Sequence, residues 1–261
     1  MRSKTDTCGS SLLSAPQSIC KLCLKPAQLK NSHIIPKLVY KPLYPPKPQH
    51  HRFRSAKIGE MELKWKQDGF KEPMLCWNCE QFLSTEYEDY AERNFFSKQL
   101  PKPSLHGKTK RIEVKGLDYK KMKLFMLSIL WRAGVTNHEF FKHVQLGPHE
   151  AVLRHMLLNG NPGGVDDYGF ITCTIKFNGS DFKDFFVEPT PSRLAEVRSY
   201  RFVFSGLLVF FVVASHKIHS SIRKCFLQPS GEWLIIETEF AQHPFLRDVF
   251  NATKDSFGSQ P

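Results

Sequence analysis

The apolar positions of this chain change their rhythm near residue 168. Ahead of it, Asp118 to Ala133 (DYKKMKLFMLSILWRA) is apolar at Leu124, Leu127, Ile129, Leu130 and Trp131, with Asp118 as N-cap and Gly134 as stop. The pattern predicts a mostly buried helix. Pro148 to Asn159 repeats the signal: proline and an acid come first, then Val152, Leu153, Met156 and Leu157. A second helix is expected there. From Tyr168 onward the runs are short, β-branched and aromatic. GFITCTIKF meets Asn178-Gly179 and then DFKDFFVEP, and Asn-Gly between such runs predicts a hairpin. VRSYRFVF, LLVFFVVAS, KCFLQ and EWLIIETE continue the series across Ser-Gly and Pro-Ser-Gly turns. The expected fold class is α+β: a small N-terminal module, then an α+β domain with two helices and a largely antiparallel sheet.

The N-terminal part follows neither rhythm. Residues 1–17 are Ser-rich and polar and are expected to be disordered. Residues 18–97 read as a short irregular module, 98–112 (two prolines and a glycine among polar residues) as a linker, and 113–261 as the α+β domain. With 261 residues, 41% of them hydrophobic, the chain is long enough for a sizeable core. The longest apolar run, Phe202 to Ala214, is interrupted by Ser205-Gly206. It is too short to cross a bilayer, which takes about 20 residues, so two adjacent buried strands are expected there. No stretch of signal-peptide character opens the sequence. A cytoplasmic protein with no membrane partner is expected.

Charge and cysteine placement change the picture of the first third. The net charge is +12, and residues 1–110 hold 19 Lys and Arg against 10 Asp and Glu. That local excess favours a polyanion partner, because neutralising phosphates releases counterions. Four of the 7 cysteines form two C-x2-C pairs, Cys20 with Cys23 and Cys76 with Cys79. Two residues between thiolates let both reach one tetrahedral ion, and two such pairs close a four-cysteine site. A structural zinc is expected, clamping a module too small to hold itself by apolar burial. Cys8, Cys173 and Cys225 read as ordinary thiols.

Between the pairs runs Ser32-His33-Ile34-Ile35-Pro36, and the second pair sits in Leu75-Cys76-Trp77-Asn78-Cys79-Glu80. In this order, with Cys20-Lys21-Leu22-Cys23 ahead of them, these motifs resemble the HNH branch of the ββα-metal (His-Me finger) nucleases over about residues 18–96. The resemblance implies a metal-dependent endonuclease that hydrolyses phosphodiester bonds of nucleic acid, with double-stranded DNA the expected partner. Relatives of that kind often serve bacterial anti-phage defence, restriction or mobile elements, so other proteins of a defence system are expected partners too. Carried over by residue, His33 takes the place of the general base that deprotonates water. Glu80 stands where the family has a histidine that binds the catalytic metal, Mg²⁺ or Mn²⁺ here. Two positions depart from the family pattern: Ser32 replaces the acid or histidine before the base, and no asparagine falls near Lys71. They keep open a second reading, a catalytically inactive zinc-organised nucleic-acid-binding module. A third makes the C-terminal domain the sensor of a partner or signal.

Glu80, Ser84, Glu88 and Glu92 are four apart and share one face of the expected helix. Glu88 is therefore expected to act in catalysis beside Glu80, and Ser84 to join Glu80 on the catalytic ion. Glu86, Asp89 and Glu92 read as surface charges. Pro36 to Lys57 carries Lys37, Lys41, Lys47, Arg52, Arg54 and Lys57 with no acid, and Tyr40, Tyr44 and Phe53 among five prolines. An extended loop of this kind is expected to track a phosphate backbone, with His50 and His51 as further phosphate contacts. His216, Lys217, His219 and Arg223 read mainly as a solvated turn.

Overall fold

The computed structural model describes residues 18–43, 53–57, 59–60, 63–194, 196–214 and 218–257. Its first elements are short. Strands β1 (Ser18–Ile19) and β2 (Pro26–Ala27) pair around the first cysteine pair, and β3 (Leu29–His33) leads into a 3-10 segment, Lys37–Leu43. Next come β4 (Phe53–Ala56), β5 (Lys64–Lys66) and β6 (Lys71–Cys76). Strand β6 pairs antiparallel with β3, Leu29 opposite Cys76 and His33 opposite Lys71. It passes directly into a helical rod: α1 (Trp77–Leu83), a π-helical turn over Ser84–Glu88, α2 (Asp89–Ala91) and a second π-helical turn over Glu92–Phe96. A widened turn advances fewer degrees per residue than an α-turn. Residues four apart therefore drift around this rod instead of staying on one face.

The extended loop expected over Pro36 to Lys57 is not what forms in its described parts. Leu38, Val39 and Tyr40 are buried, and Tyr40 lies stacked on Phe186 with centroids 5.1 Å apart. Burying those three side chains coils the backbone, which an extended loop would leave in water. Phe53 to Ala56 instead joins the large sheet as β4, parallel to β11 (Phe185–Leu194).

Within the expected linker, β7 (Ser104–His106) and β8 (Thr109–Val114) pair with each other. Helix α3 (Tyr119–Val135) follows, with Asp118 as N-cap accepting from the Lys121 amide. It runs one residue past Gly134. Every residue from Met122 to Ala133 is buried, as for a helix enclosed on all sides. Helix α4 (His149–Asn159) ends on Gly160 in the left-handed conformation (φ 60°), a common way for a helix to stop. The strands are β9 (Phe170–Phe177), β10 (Ser180–Asp181), β11, β12 (Val197–Phe204) and β13 (Leu207–Val212), with α5 (Ser220–Arg223), β14 (Trp233–Glu239) and α6 (Pro244–Phe257) closing the chain. The segment KCFLQ, expected as a strand, is a turn after α5, and α6 had no counterpart in the sequence reading.

Among the described residues the large sheet has the order β5-β4-β11-β12-β13-β9-β14-β8-β7, with β10 beside β9. It is largely antiparallel, with parallel pairs at β11–β4 and β14–β9. The Asn178-Gly179 turn forms with both residues at positive φ (51° and 78°). Its hairpin lasts only through β10, because Phe182 and Phe185 leave the pair to pack with Phe240. Phe202 to Ala214 forms two adjacent strands, as its Ser-Gly break implied. One apolar cluster fills the face of the sheet that carries the helices, and a second lies on the other face with α6. No helix among the described residues is long and apolar enough to cross a membrane.

Candidate metal centre and the histidine beside it

The sulfurs of Cys20, Cys23, Cys76 and Cys79 all lie within 4.8 Å of one another. Cys23 Sγ and Cys76 Sγ are 3.9 Å apart. Bonds of about 2.3 Å to a tetrahedral zinc place thiolates roughly 3.8 Å apart, so the spacing fits a four-thiolate ion. The local backbone suits thiolates as well. The amide of Cys76 donates to Cys20 Sγ at 3.3 Å. Burial would raise the Cys20 thiol, but amides of Cys23, Cys76 and Leu22 outweigh it and leave the group below its ordinary value. Cys76 is the N-cap of α1 with its side chain free of the cap bond, and Cys79 lies in the first turn; without an ion, burial and then the neighbouring thiols push the Cys79 thiol well above its ordinary value, and burial raises Cys23 as well. These four residues could hold a metal such as zinc. Among the described residues they are the only three or more His, Cys, Asp or Glu side chains close enough to share an ion. Cys8 lies outside the described residues.

His33 ends β3. On the same strand Ser32 is fully buried and its Oγ donates to Glu80 Oε2 at 2.6 Å. Glu80 comes from the first turn of α1, immediately after Cys79. The strand before His33 and the helix after the second cysteine pair are thus joined by a short hydrogen bond. Where the resemblance led to an expected asparagine, Lys71 faces His33 across the two strands. His33 Nε2 is buried without a hydrogen-bond partner. Burial pulls the imidazole down to about 4, helped by the Lys71 charge and then by Lys37 and Arg132, while the Asp68 carbonyl works the other way. The ring is therefore neutral at pH 7 and surrounded by cations. Asp68 and Gly69 turn into β6 at positive φ (60° and 70°). A Cβ on Gly69 would stand 2.7 Å from the Tyr40 ring, so this turn requires glycine.

Two of those cations were missed as functional neighbours. Arg132 reaches the site from α3, a helix whose pattern announced only packing; a lone arginine inside its apolar stretch was the available signal. Arg132 is 1% exposed. Its Nη2 donates to Glu88 Oε1 at 2.6 Å, while Nε and Nη1 are buried without partners. Glu88 is thus held by an arginine. Ser84 opens the first π-helical turn and is half-buried.

A second tie joins this region to α3. Glu72 on β6 accepts from Lys21 Nζ at 2.9 Å, from the Asn137 amide at 2.8 Å and from the Thr136 hydroxyl. Burial would raise its carboxyl, but those three donors outweigh burial and hold it below the usual range.

The expected phosphate contacts separate into distinct environments. Lys37 is exposed beside the His33 strand. Lys41 is paired with Glu92. Arg54 meets both oxygens of Asp184, at 3.0 and 2.8 Å through Nη2, and lies over the Phe182 ring. Lys57 is 3.5 Å from Glu60 and 4.0 Å from Glu139. Lys47, Arg52, His50 and His51 lie outside the described residues, as do His216 and Lys217.

No family model, curated protein or solved structure matches the chain.

Proposed function

We propose that residues 18–96 form a zinc-stapled ββα-metal module of HNH type, and that the protein is a metal-dependent endonuclease acting on DNA. The observation that carries the reading is the Ser32–Glu80 hydrogen bond. It ties the strand that ends in His33, whose Nε2 is buried without a hydrogen-bond partner, to the first turn of a helix that begins at a four-cysteine cluster. The order strand, strand, helix over β3, β6 and α1 agrees with it.

In this reading the Nε2 of His33 accepts a proton from water, which attacks the scissile phosphorus. Burial first, and then the charges of Lys71, Lys37 and Arg132, keep the imidazole unprotonated beforehand, and the same charges favour the phosphate. Glu80 and Ser32 supply the oxygens that would hold Mg²⁺ or Mn²⁺. Such an ion takes few protein ligands and completes its shell with water and substrate oxygens. When bound, it would neutralise charge on the phosphate and the departing oxygen. Glu88 is committed to Arg132 and serves here to hold that arginine.

The Arg132–Glu88 pair and the absence, among the described residues, of a carboxylate cluster favour a second reading: a zinc-organised module that binds nucleic acid without cutting it. Supercoiled plasmid incubated with Mg²⁺ or Mn²⁺ separates the two. Wild-type protein is expected to nick, and His33→Ala to lose nicking by at least about a hundredfold while binding DNA as tightly. If neither protein cuts and both bind equally, the binding module is the correct reading.

A further inference from the structure

A cavity lies far along the rod from the cysteines. It has a volume of about 470 Å³, within the ordinary range of small-molecule sites. The rod ends at Phe96, and residues 97–103, which contain Pro101 and Pro103, line the cavity beyond it. Strands β8, β9 and β14 and the turn between β12 and β13 form the floor.

Three features of this space are unlike packing voids. Its charged lining is Lys98, Lys102, Lys176 and Lys183 against Asp181 and Glu237. The acids are already paired, Asp181 with Lys176 at 2.6 Å and Lys183 at 3.4 Å, and Glu237 with Lys110 at 3.0 Å. Lys98 and Lys102 stand exposed, leaving the mouth positive. Thr174 on β9 lines the cavity, is 8% exposed, and its buried hydroxyl has no hydrogen-bond partner. A buried hydroxyl left unsatisfied is costly unless something fills the space and bonds to it. The remaining surface is apolar, with half-buried Phe96 and Leu100 beside buried Ile112.

We propose that this cavity is a binding site for a nucleoside phosphate. Its flat apolar part lies against Phe96, Leu100 and Ile112, its phosphate meets Lys98 and Lys102 at the mouth, and Thr174 bonds to its polar edge. The occupant sits at one end of the rod whose other end carries Cys79 and Glu80. The site stands independently of the nuclease reading. The same chemistry is offered by a free nucleotide and by the end of a nucleic-acid strand.

Titration calorimetry on the full chain tests it with AMP, ATP, adenosine, inorganic phosphate and a short single-stranded oligonucleotide. Saturable binding of AMP, ATP or the oligonucleotide is expected. It should weaken about tenfold in Lys98→Ala/Lys102→Ala, whose exposed positions leave folding intact, and several-fold in Thr174→Val, which keeps the shape and removes the hydroxyl. Preference for AMP or ATP over the oligonucleotide identifies a free nucleotide as the occupant; the reverse identifies a strand end. No binding at millimolar concentration, binding untouched by the lysine variant, or inorganic phosphate bound as tightly as AMP would each overturn the proposal. The outcome is unaffected by whether the protein nicks plasmid.

Discussion

Arg132 of α3 and Glu88 of the rod are joined at 2.6 Å in a contact where the arginine is 1% exposed and two of its nitrogens have no partner. The pair binds the rod, and with it the Glu80 end of the candidate site, to α3, which is buried from Met122 to Ala133. It also fixes a positive charge whose field reaches His33.

Removing only the acid should be the damaging change. Glu88→Ala leaves a buried guanidinium with no counter-charge, and a loss of about 3 kcal/mol is expected. Arg132→Met combined with Glu88→Leu removes both charges from an apolar setting and should recover most of that loss. Urea unfolding of Glu88→Ala and of the double variant measures it. Equal stability of Glu88→Ala and wild type would show that the pair holds nothing in place.

The zinc assignment predicts metal content and a cooperative unit. Purified protein is expected to carry one zinc ion per chain, released when the thiols are titrated with a mercurial. Cys23→Ser should lower the zinc affinity and loosen the β3–β6 pair, seen as faster amide exchange in that pair than in α3. Tight zinc binding couples directly to folding of small sites. Stoichiometric zinc in a variant lacking both Cys76 and Cys79 would refute the four-thiolate arrangement.

What the sequence disclosed and what it concealed divide along the range of the interactions. The four cysteines were legible because C-x2-C spacing encodes its chemistry locally. So were α3, α4 and the β12–β13 pair, whose periods and turn residues lie within one element. The pairings were not. Nothing near Arg54 signals Asp184, and nothing near Glu88 signals Arg132, because each partner comes from an element far along the chain. The helix-face argument for Glu80, Ser84, Glu88 and Glu92 assumed a uniform α-helix. Two π-helical turns broke that assumption. Tyr40 was read as one of the loop's aromatics, yet it is a core residue stacked on Phe186.

Glu72 gives a pH signature. Its carboxyl is held below the usual range in the folded state by Thr136, Lys21 and Asn137, against the opposing effect of burial. A depressed carboxyl stabilises the fold above its unfolded value, and that stability is lost as pH falls through the lower native value. Glu72→Gln should therefore cost about 1–2 kcal/mol at pH 7. The deficit should shrink as pH drops below the ordinary glutamate range. Thermal unfolding of both proteins from pH 7 to pH 3 checks the sign. A deficit that grows toward acid would contradict it.

Ser32 offers a direct test of the proposal that Glu80 holds a catalytic ion. If Glu80 and Ser32 hold Mg²⁺ together, Glu80→Gln should abolish nicking at any attainable Mg²⁺ concentration. Ser32→Asp adds a hard oxygen ligand at a position already 2.6 Å from Glu80 and should lower the Mg²⁺ needed for half-maximal nicking. The readout is a Mg²⁺ titration of nicking rate at fixed DNA. An unchanged midpoint in Ser32→Asp would place the ion elsewhere.

The basic residues first grouped together should separate by salt dependence. A lysine that meets phosphate contributes to counterion release, and its loss reduces the slope of log K against log salt by about 0.9 for duplex DNA. Lys37 is exposed beside the His33 strand, so Lys37→Ala should reduce the slope by that amount and leave stability unchanged. Arg54 is different. Its guanidinium is half-buried, paired with Asp184 through Nη2 and Nε, and lies against Phe182. Its charge is already answered inside the protein, so Arg54→Ala should leave the salt slope untouched. It should instead lower the unfolding midpoint, because β4 loses the pair that helps fasten it beside β11. Lys41, paired with Glu92, should fall between the two. Filter binding across a salt series, run beside urea unfolding, assigns each residue to one column or the other. If Arg54→Ala shifted the slope as Lys37→Ala does, the Arg54–Asp184 pair would have to open on DNA, and β4 would belong to the nucleic-acid surface.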